Sequence, residues 1–395
     1  MVKVLIAGAG LGGLTAALAL HRAGCRVEIC EQADELGEVG AGIQISPNAV
    51  KVLRALGLEA AFEAVAVRPT VREGRDWASG AVLQSFALDD GFAARYGAGY
   101  YHVHRADLHG LLVDAVRDLG DVPIRLGARA VGLGEADGAI RLDLADGGQA
   151  TGEVLVGADG IHSAVREALF GPDHPRFTGT VAFRATVPVD RLPADMIEAK
   201  GYNWMGPHHH FVIYLLRGGQ LVNCVGVCEM PDWRIESWTQ RGDLDEFRRE
   251  FDGWHPTIQT LINGVEACWK WALYDRDPLA RWSVGRATVL GDAAHPMLPF
   301  LAQGACMAIE DGYVLARCLQ RQDDPVAALA EYEAARRPRA SQVQLGARAR
   351  TRTLHMADAD EVRQRNEANR QDPERFAKEM HWLYAYDPVA EQGPL

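Results

Sequence analysis

Basic charge is the first thing this 395-residue chain is short of: 41 Lys+Arg stand against 53 Asp+Glu, a formal net charge of −12. That excludes general nucleic-acid binding, which needs a basic surface. Paired cysteines are missing too. The seven, Cys25, Cys30, Cys224, Cys228, Cys268, Cys306 and Cys318, are odd in number and form no CxxC pair, so free buried thiols in a reducing cytoplasm are expected. Long apolar runs are absent as well. Val4 to Leu20 carries no charge, but Gly8, Gly10, Gly12 and Gly13 break it, and such a run makes a poor membrane helix or signal core. No repeat or low-complexity tract is visible, and a soluble cytoplasmic protein is expected. What remains, 48% hydrophobic and 24% charged residues, is ordinary globular composition. The length suggests two or three domains, or one core with an insertion.

Residues 2–7 read as a doubly buried strand, followed by Gly8-Ala-Gly10-Leu-Gly-Gly13, a helix through Ala23, and a second strand Arg26–Cys30 that leads to Glu31. Ser46-Pro47-Asn48 predicts a helix start with a capping serine. Tyr101–His104 and Val154–Val156 read as strands, Arg105–Leu119 as a helix. From about Phe177 to Tyr274, β-branched and aromatic residues predict a separate antiparallel sheet. Residues 303–320 show one apolar helical face. Six arginines between Arg336 and Arg352, with no acid among them, read as a solvated helix face.

The GxGxxG segment has a specific physical use. Gly8 permits a tight turn, Gly10 lets backbone approach a pyrophosphate, and Gly13 lets helix and strand pack closely. The helix N-terminus offers free N–H groups to phosphates. Glu31, 18 positions after Gly13, can accept hydrogen bonds from a ribose and would repel a 2′-phosphate. This indicates a dinucleotide without deciding between FAD and NAD. Two more stretches, VGADGIHSAVR (156–166) and LGDAAHP (290–296), each put an Asp just past a strand, where open α/β sheets bind ligands. One long ligand touching all three explains them together.

On these motifs, GAGLGG with Glu31, VGADGIHSAVR, and GDAAHPMLPFLAQGACMAIED (291–311), the chain resembles the single-component FAD-dependent aromatic hydroxylases, the class A flavoprotein monooxygenases with the p-hydroxybenzoate hydroxylase fold. The resemblance runs from Val2 to about Ala340. It implies an α/β fold with α+β elements: a Rossmann-like FAD-binding domain (1–70, 100–176 and 277–350), an inserted antiparallel-sheet substrate domain (71–99 and 177–276) and a C-terminal helical tail (351–395). It implies FAD, tightly but non-covalently bound, at Gly8, Gly10, Leu11, Gly13, Glu31, Gln44, Arg105, Asp159, Gly160, Asp292, Pro296 and Gly304. It implies NADH or NADPH as co-substrate, O2, a C4a-hydroperoxyflavin as oxygen donor, and a small aromatic acid as substrate. No nucleic-acid, membrane or metal partner is expected. A homodimer is entertained, with the oligomeric state open.

Within the family the chain is similar to the salicylate 1-monooxygenase, 3-hydroxybenzoate 6-hydroxylase and 6-hydroxynicotinate 3-monooxygenase group. GPHHHFVIY (206–214) is similar to the strand that carries an active-site His and Tyr in the last two. His210 and Tyr214, four apart in an apparent strand, point to one face, which suits a pair meeting one substrate hydroxyl. His210 is the expected base, since a phenol becomes nucleophilic once its proton leaves. His208 should share that face and His209 point away. No acid or thiol near the three histidines in sequence completes a metal set. His295 is expected to fix its loop through hydrogen bonds. Gln44, Met205, Met297, Leu298, Pro299 and Phe300 are expected pocket walls that exclude water. Pro299 is similar to the decarboxylating salicylate and hydroxynicotinate types, where the 3-hydroxybenzoate enzyme has Gln. The hydroxynicotinate type has His at the positions of Phe300 and Gln44. Salicylate-type hydroxylation leads, with the other two as alternatives. A flavin-free dehydrogenase and a non-catalytic flavin redox sensor are the readings of other kinds.

Overall fold

The computed structural model of the chain describes residues 1–37, 41–136, 138–235, 240–372 and 374–395. Its first layer grows from Lys3–Ala7. This strand pairs in parallel with Arg26–Cys30 on one side and Val154–Gly157 on the other, and Val154–Gly157 pairs in parallel with Ala287–Val289. Ile124–Arg125 and Ser283–Val284 complete a six-stranded sheet at its two edges. The central strands are apolar and almost entirely buried, as strands covered on both faces must be. The helix Leu11–Arg22 covers one face and crosses Gly304–Arg321. A Cβ on Gly312 would stand 2.7 Å from Ala16 N, and one on Gly12 would stand 2.7 Å from a Leu290 methyl, so only glycine lets these helices meet.

The second layer is a seven-stranded sheet. It joins Val71–Asp76 and Val82–Ala87 to Arg176–Pro188, Gly201–Gly206, His209–Leu216, Leu221–Glu229 and Trp269–Asp275. Helices Leu244–Glu250 and Pro256–Asn263 close its back, where Phe183, Phe211, Phe247 and Phe251 are fully buried. Its front faces the first layer across the ribbon Gly42–Ile45/Tyr101–His104. A three-stranded sheet, Ala130–Ala136, Ala139–Leu144 and Gln149–Gly152, had no counterpart in the sequence reading.

Three expectations are corrected. The helix Pro325–Leu354 runs through the boundary placed at residues 350/351. Ser46 stands at the N-cap of Pro47–Ala55, but its hydroxyl caps nothing. It bonds Asn48 Oδ1 and accepts from Gln303 (2.9 Å), because both amides are buried beside it. The arginine-rich stretch is not one solvated face. Arg336 is fully buried, with Nε 2.7 Å from Asp311 Oδ1 and a second nitrogen on Glu310. Arg339 holds Glu310 from the other side at 2.9 and 3.0 Å, and Arg348 pairs with the buried Asp275. The acids come from Glu310 and Asp311, 25 residues earlier than Arg336 for the nearer pair, which a scan along the helix could not see.

Burial alone would raise both carboxyls. Arg336 and Arg339 nevertheless hold Glu310 below the usual carboxylate range, and His295 with Arg336 brings Asp311 to about 2. Arg336→Leu is expected to cost about 3–5 kcal/mol in urea unfolding at neutral pH, the penalty of stranding buried charge. Because depressed carboxyl values contribute stability that is lost on acidification, that penalty should shrink as pH falls into the carboxyl range. An equal penalty at both pH values would show that the loss is packing alone.

Candidate active site

The strands that end in the three ligand motifs are neighbours. Ala287–Val289, Val154–Gly157, Lys3–Ala7 and Arg26–Cys30 lie side by side in parallel, so their following loops leave one sheet edge about 4.8 Å apart. Gly8 takes φ +107, and a Cβ there would stand 2.4 Å from Ala158 O; a Cβ on Gly13 would stand 2.1 Å from Gly8 O. The first two loops are therefore in contact through glycine. A Cβ on Gly10 would meet nothing within 4 Å, and Gly10 lines a cavity of about 390 Å³ together with Glu31, Asp159 and Gly160. The Glu31 carboxylate accepts from Ala9 N (2.6 Å) and Ala33 N (2.9 Å). Asp159 accepts from Ser163 Oγ and Val165 N, so it also caps Ala164–Phe170, and burial raises its carboxyl. Glycine turns, helix N-termini and a ribose-height acid suit the ADP half of a dinucleotide.

Not every expected residue meets this cavity. Leu11 is buried at the helix start. Arg105 opens Arg105–Asp118 with its N–H on Ala41 O (3.2 Å) and lies near Arg184, outside the cavity wall. Arg129 and His109 line the cavity in its place, and the sequence reading missed both. His109 Nε2 bonds Ala9 O at 2.8 Å.

The third loop continues the edge. Asp292 is exposed, with Gly304 beside it. Pro296 is buried, and its carbonyl accepts from Gln344 (2.9 Å). His295 Nε2 lies 2.6 Å from Asp311 Oδ2, which also accepts from Gly291 N (3.0 Å). One buried carboxylate thus fixes both ends of the loop. Met205, Leu298 and Phe300 join an apolar cluster, Met297 packs on it, and Pro299 is exposed outside it.

His210 and Tyr214 both face the front, but they do not meet at one atom. Four residues of extended chain separate their backbones by about 13 Å, and each has its own surroundings. Tyr214 lies against His102 (centroids 4.4 Å) and against Gly42, where a Cβ would stand 2.4 Å from its ring. His210 Nδ1 lies 2.7 Å from His355 Nε2, with the Phe300 ring at 5.2 Å. His355 Nδ1 is 3.3 Å from Glu229 Oε1, and His208 Nδ1 is 2.8 Å from Glu229 Oε2. His208 is not in the strand, since its φ of +60 places it in the turn before His209. His209 points to the back, where Glu250 and Cys228 stand beside it, so distance along the chain had hidden both an acid and a thiol.

The floor between His210 and Tyr214 is set by register. Asn203, Val212, Val225 and Arg184 form one cross-sheet row. Among the described residues, the buried Asn203 Oδ1 has no hydrogen-bond partner, and neither has Asn223 Nδ2 on the Tyr214 row. Val212 and Val225 remain half-buried in mid-sheet. Open amide atoms beside part-covered valines are the mixture of polar and apolar groups that small-molecule sites use. Gln44 borders it, accepting from Tyr100 OH.

Residues 1–347 match the family described as FAD binding domain. The chain is 39% identical over 386 residues to 3-amino-4-hydroxybenzoate 2-monooxygenase PtmB3 of Streptomyces platensis, covering 98% of this chain and 96% of that one. It is 39% identical over 347 residues to 6-hydroxynicotinate 3-monooxygenase of Pseudomonas fluorescens, covering 87% and 89%. The structure superposes on a salicylate hydroxylase substrate complex with TM-score 0.84 at 27% identity, over 99% of this chain and 97% of that one.

The cradle predicts a separation of effects. Gly10→Ala should fold normally, because its Cβ meets no protein atom, yet weaken flavin retention by at least about tenfold, ~1.4 kcal/mol. Gly13→Ala should lower the unfolding midpoint itself, by about 1–3 kcal/mol of overpacking. Flavin fluorescence titration and urea denaturation read the two; matching profiles would refute the assignment.

Proposed function

The chain belongs to the FAD-binding-domain family, and we propose that it is an aromatic-acid hydroxylase whose substrate lies on the Asn203–Val212–Val225–Arg184 row, between His210 and Tyr214. Its co-substrates are a reduced nicotinamide and O2. FAD, once bound, supplies the redox and oxygen-transfer chemistry; the chain's own residues bind, orient and deprotonate the aromatic ring.

The observation that carries this reading is the line His210–His355–Glu229, in which both histidines are buried and the exposed Glu229 carboxylate stands 3.3 Å from His355 Nδ1 at ion-pair distance. The Glu229 carboxylate favours a proton on His355 Nδ1, which leaves His355 Nε2 to accept from His210 Nδ1–H. The remaining His210 nitrogen, Nε2, is then a lone pair available to a substrate hydroxyl. Taking that proton there lets the His210 Nδ1 proton pass to His355 Nε2, where the Glu229 carboxylate, 3.3 Å from His355 Nδ1, offsets the positive charge. Removing the hydroxyl proton pushes electron density to the ortho and para ring carbons, where an electrophilic oxygen is accepted. Arg184, on the floor row, holds the carboxylate. Met205, Leu298 and Phe300 keep water from the reacting edge, with Met297 beside them; Gln44 and Tyr100 border the opposite side. Asp292, Pro296 and Gly304 support the flavin's ribityl and ring portions, and Glu31, Asp159 and Gly160 its ADP half.

The names of the two relatives narrow the substrate. In both 3-amino-4-hydroxybenzoate and 6-hydroxynicotinate the hydroxyl stands para to the carboxylate. A carboxylate at Arg184 and a hydroxyl near His210, at opposite ends of one ring, fit that spacing, and the Phe300 edge suits a benzene ring. A para-hydroxylated benzoate therefore leads. Salicylate, 3-hydroxybenzoate and 6-hydroxynicotinate are the comparators.

The purified protein is expected to be yellow, to consume NADH or NADPH faster with the true acid, and to yield one hydroxylated product per nicotinamide, identified by mass. Stimulated consumption with peroxide as the only product would make that acid an effector. A flavin-loaded protein indifferent to every acid would leave the redox-sensor reading. His210→Asn should slow hydroxylation about 10²–10⁴-fold with flavin content unchanged. Burial lowers His210, and holds His355 at about 4, so both stay neutral across the physiological range. Turnover should stay level from about pH 8 to about pH 5 and fall only toward pH 4. A limb centred on the ordinary histidine value would count against the pair.

A further inference from the structure

The back of the seven-stranded sheet carries a second polar cluster, away from the face just described. His209 follows the turn at His208 and precedes the front-facing His210, so strand alternation sends its ring to the back. In antiparallel register it stands opposite Cys228, which places imidazole and thiol side by side. The helix Leu244–Glu250 is anchored on this face by Phe247, stacked on Phe183 at 4.9 Å and Phe211 at 6.0 Å, and Glu250 ends it. A His209 ring nitrogen, Cys228 Sγ and a Glu250 carboxylate oxygen all lie within 4.8 Å of one another. The Phe251 ring closes one side, 5.6 Å from the His209 ring.

The hydrogen bonds say what the cluster needs. His209 Nδ1 lies 3.0 Å from Pro207 O. A carbonyl can only accept, so Nδ1 carries the proton and a neutral ring presents a lone pair at Nε2. Glu250 Oε2, also an acceptor, lies 3.2 Å from that lone pair. Two acceptors at this distance require positive charge between them. A second proton on His209 would satisfy the imidazole and the carboxylate and give no part to the thiol. A metal ion would use all three.

We propose that His209 Nε2, Cys228 Sγ and the Glu250 carboxylate form a binding site for a divalent transition-metal ion of the zinc type, with the fourth coordination position open to water. The donor set is one nitrogen, one sulfur and one oxygen, each a ligand zinc takes. Binding releases the Cys228 thiol proton to solvent, and thiolate plus carboxylate then neutralise the 2+ charge. In a tetrahedral zinc site such donors stand roughly 3.3–3.6 Å apart. The nitrogen–oxygen separation is already 3.2 Å, and side-chain rotation closes the rest. The Pro207 carbonyl is the outer partner that fixes the ring's tautomer and aim. Lys270, the cation nearby, is engaged by Glu246 at 2.8 Å. The ion ties the helix Leu244–Glu250 to the start of the strand that carries His210, without touching the front face.

The test uses flavin-loaded protein, stripped with a chelator and titrated with CoCl2. Its visible bands in tetrahedral thiolate sites lie to the red of flavin absorption. One Co2+ per chain, displaced by ZnCl2, is expected. His209→Gln and Glu250→Gln should each weaken binding by more than about tenfold, the least that losing a direct ligand costs when outer partners alone cost that much. Cys228→Ser should remove the intense band. Flavin content should not change in any of them. No cobalt uptake by the wild type, or uptake equally tight in His209→Gln and Glu250→Gln, would overturn the site and leave an imidazolium–carboxylate pair. Glu250 is only half-buried, so its variant keeps the test decisive even if Cys228→Ser fails to fold.

Discussion

Arg336 sits in the middle of the molecule with no access to water, paired with Glu310 and Asp311. A buried guanidinium is tolerable only because two carboxylates surround it, and they are tolerable only because it and Arg339 are there. Everything near the third ligand loop follows from that mutual need. Asp311 spends its remaining oxygen on Gly291 N and His295 Nε2, so the loop at the sheet edge is held at both ends. Glu310 accepts from Asn48, which fixes the helix after the Gln44 strand. The long C-terminal helix supplies the arginines, and the helix beginning at Gly304 supplies the acids. The clamp is thus the point at which the C-terminal part of the chain becomes necessary to the nucleotide-binding layer.

The front of the seven-stranded sheet depends on a different constraint, strand register. Antiparallel pairing puts His210 beside Met205 and Val227, Tyr214 beside Asn223, and Asn203, Val212, Val225 and Arg184 in the row between. A slip of one residue would turn all of these to the back face. The same alternation sends His209 to the back and next to Cys228. The opposite facings of His209 and His210 therefore follow from a single period-two rule, with His208 excepted because it sits in the turn.

Much of the nucleotide layer was legible in the sequence, because its determinants are local. GxGxxG, its flanking strand and helix, and Glu31 lie within one β-turn-α-β unit; Gly8 answers to the adjacent loop, Gly13 to Gly8, and Gly10 to the open cavity. The antiparallel part of the second sheet was legible from composition, and the one-face relation of His210 and Tyr214 from spacing; the parallel pairing of Gly201–Gly206 with Val71–Asp76, which makes the sheet mixed, was not. What failed were inferences about partners. The arginine stretch looked solvated because its acids lie on another helix. Ser46 looked like a cap because its competing amides, Asn48 and Gln303, are brought together only by packing. His355, 145 residues from its partner His210, carried no mark in sequence at all.

The first β-turn-α-β unit, the glycine cradle with Glu31 after it and the alternation of the histidine strand were determined by the sequence itself, because backbone geometry and side-chain period act over a few residues. The tertiary structure alone decided which charges are buried together, which strands are neighbours, which side chains share a cross-sheet row, and that His355 lies against His210. Those are relations between segments far apart in the chain, and the physics that selects them, desolvation and close packing, acts only once the segments are in contact.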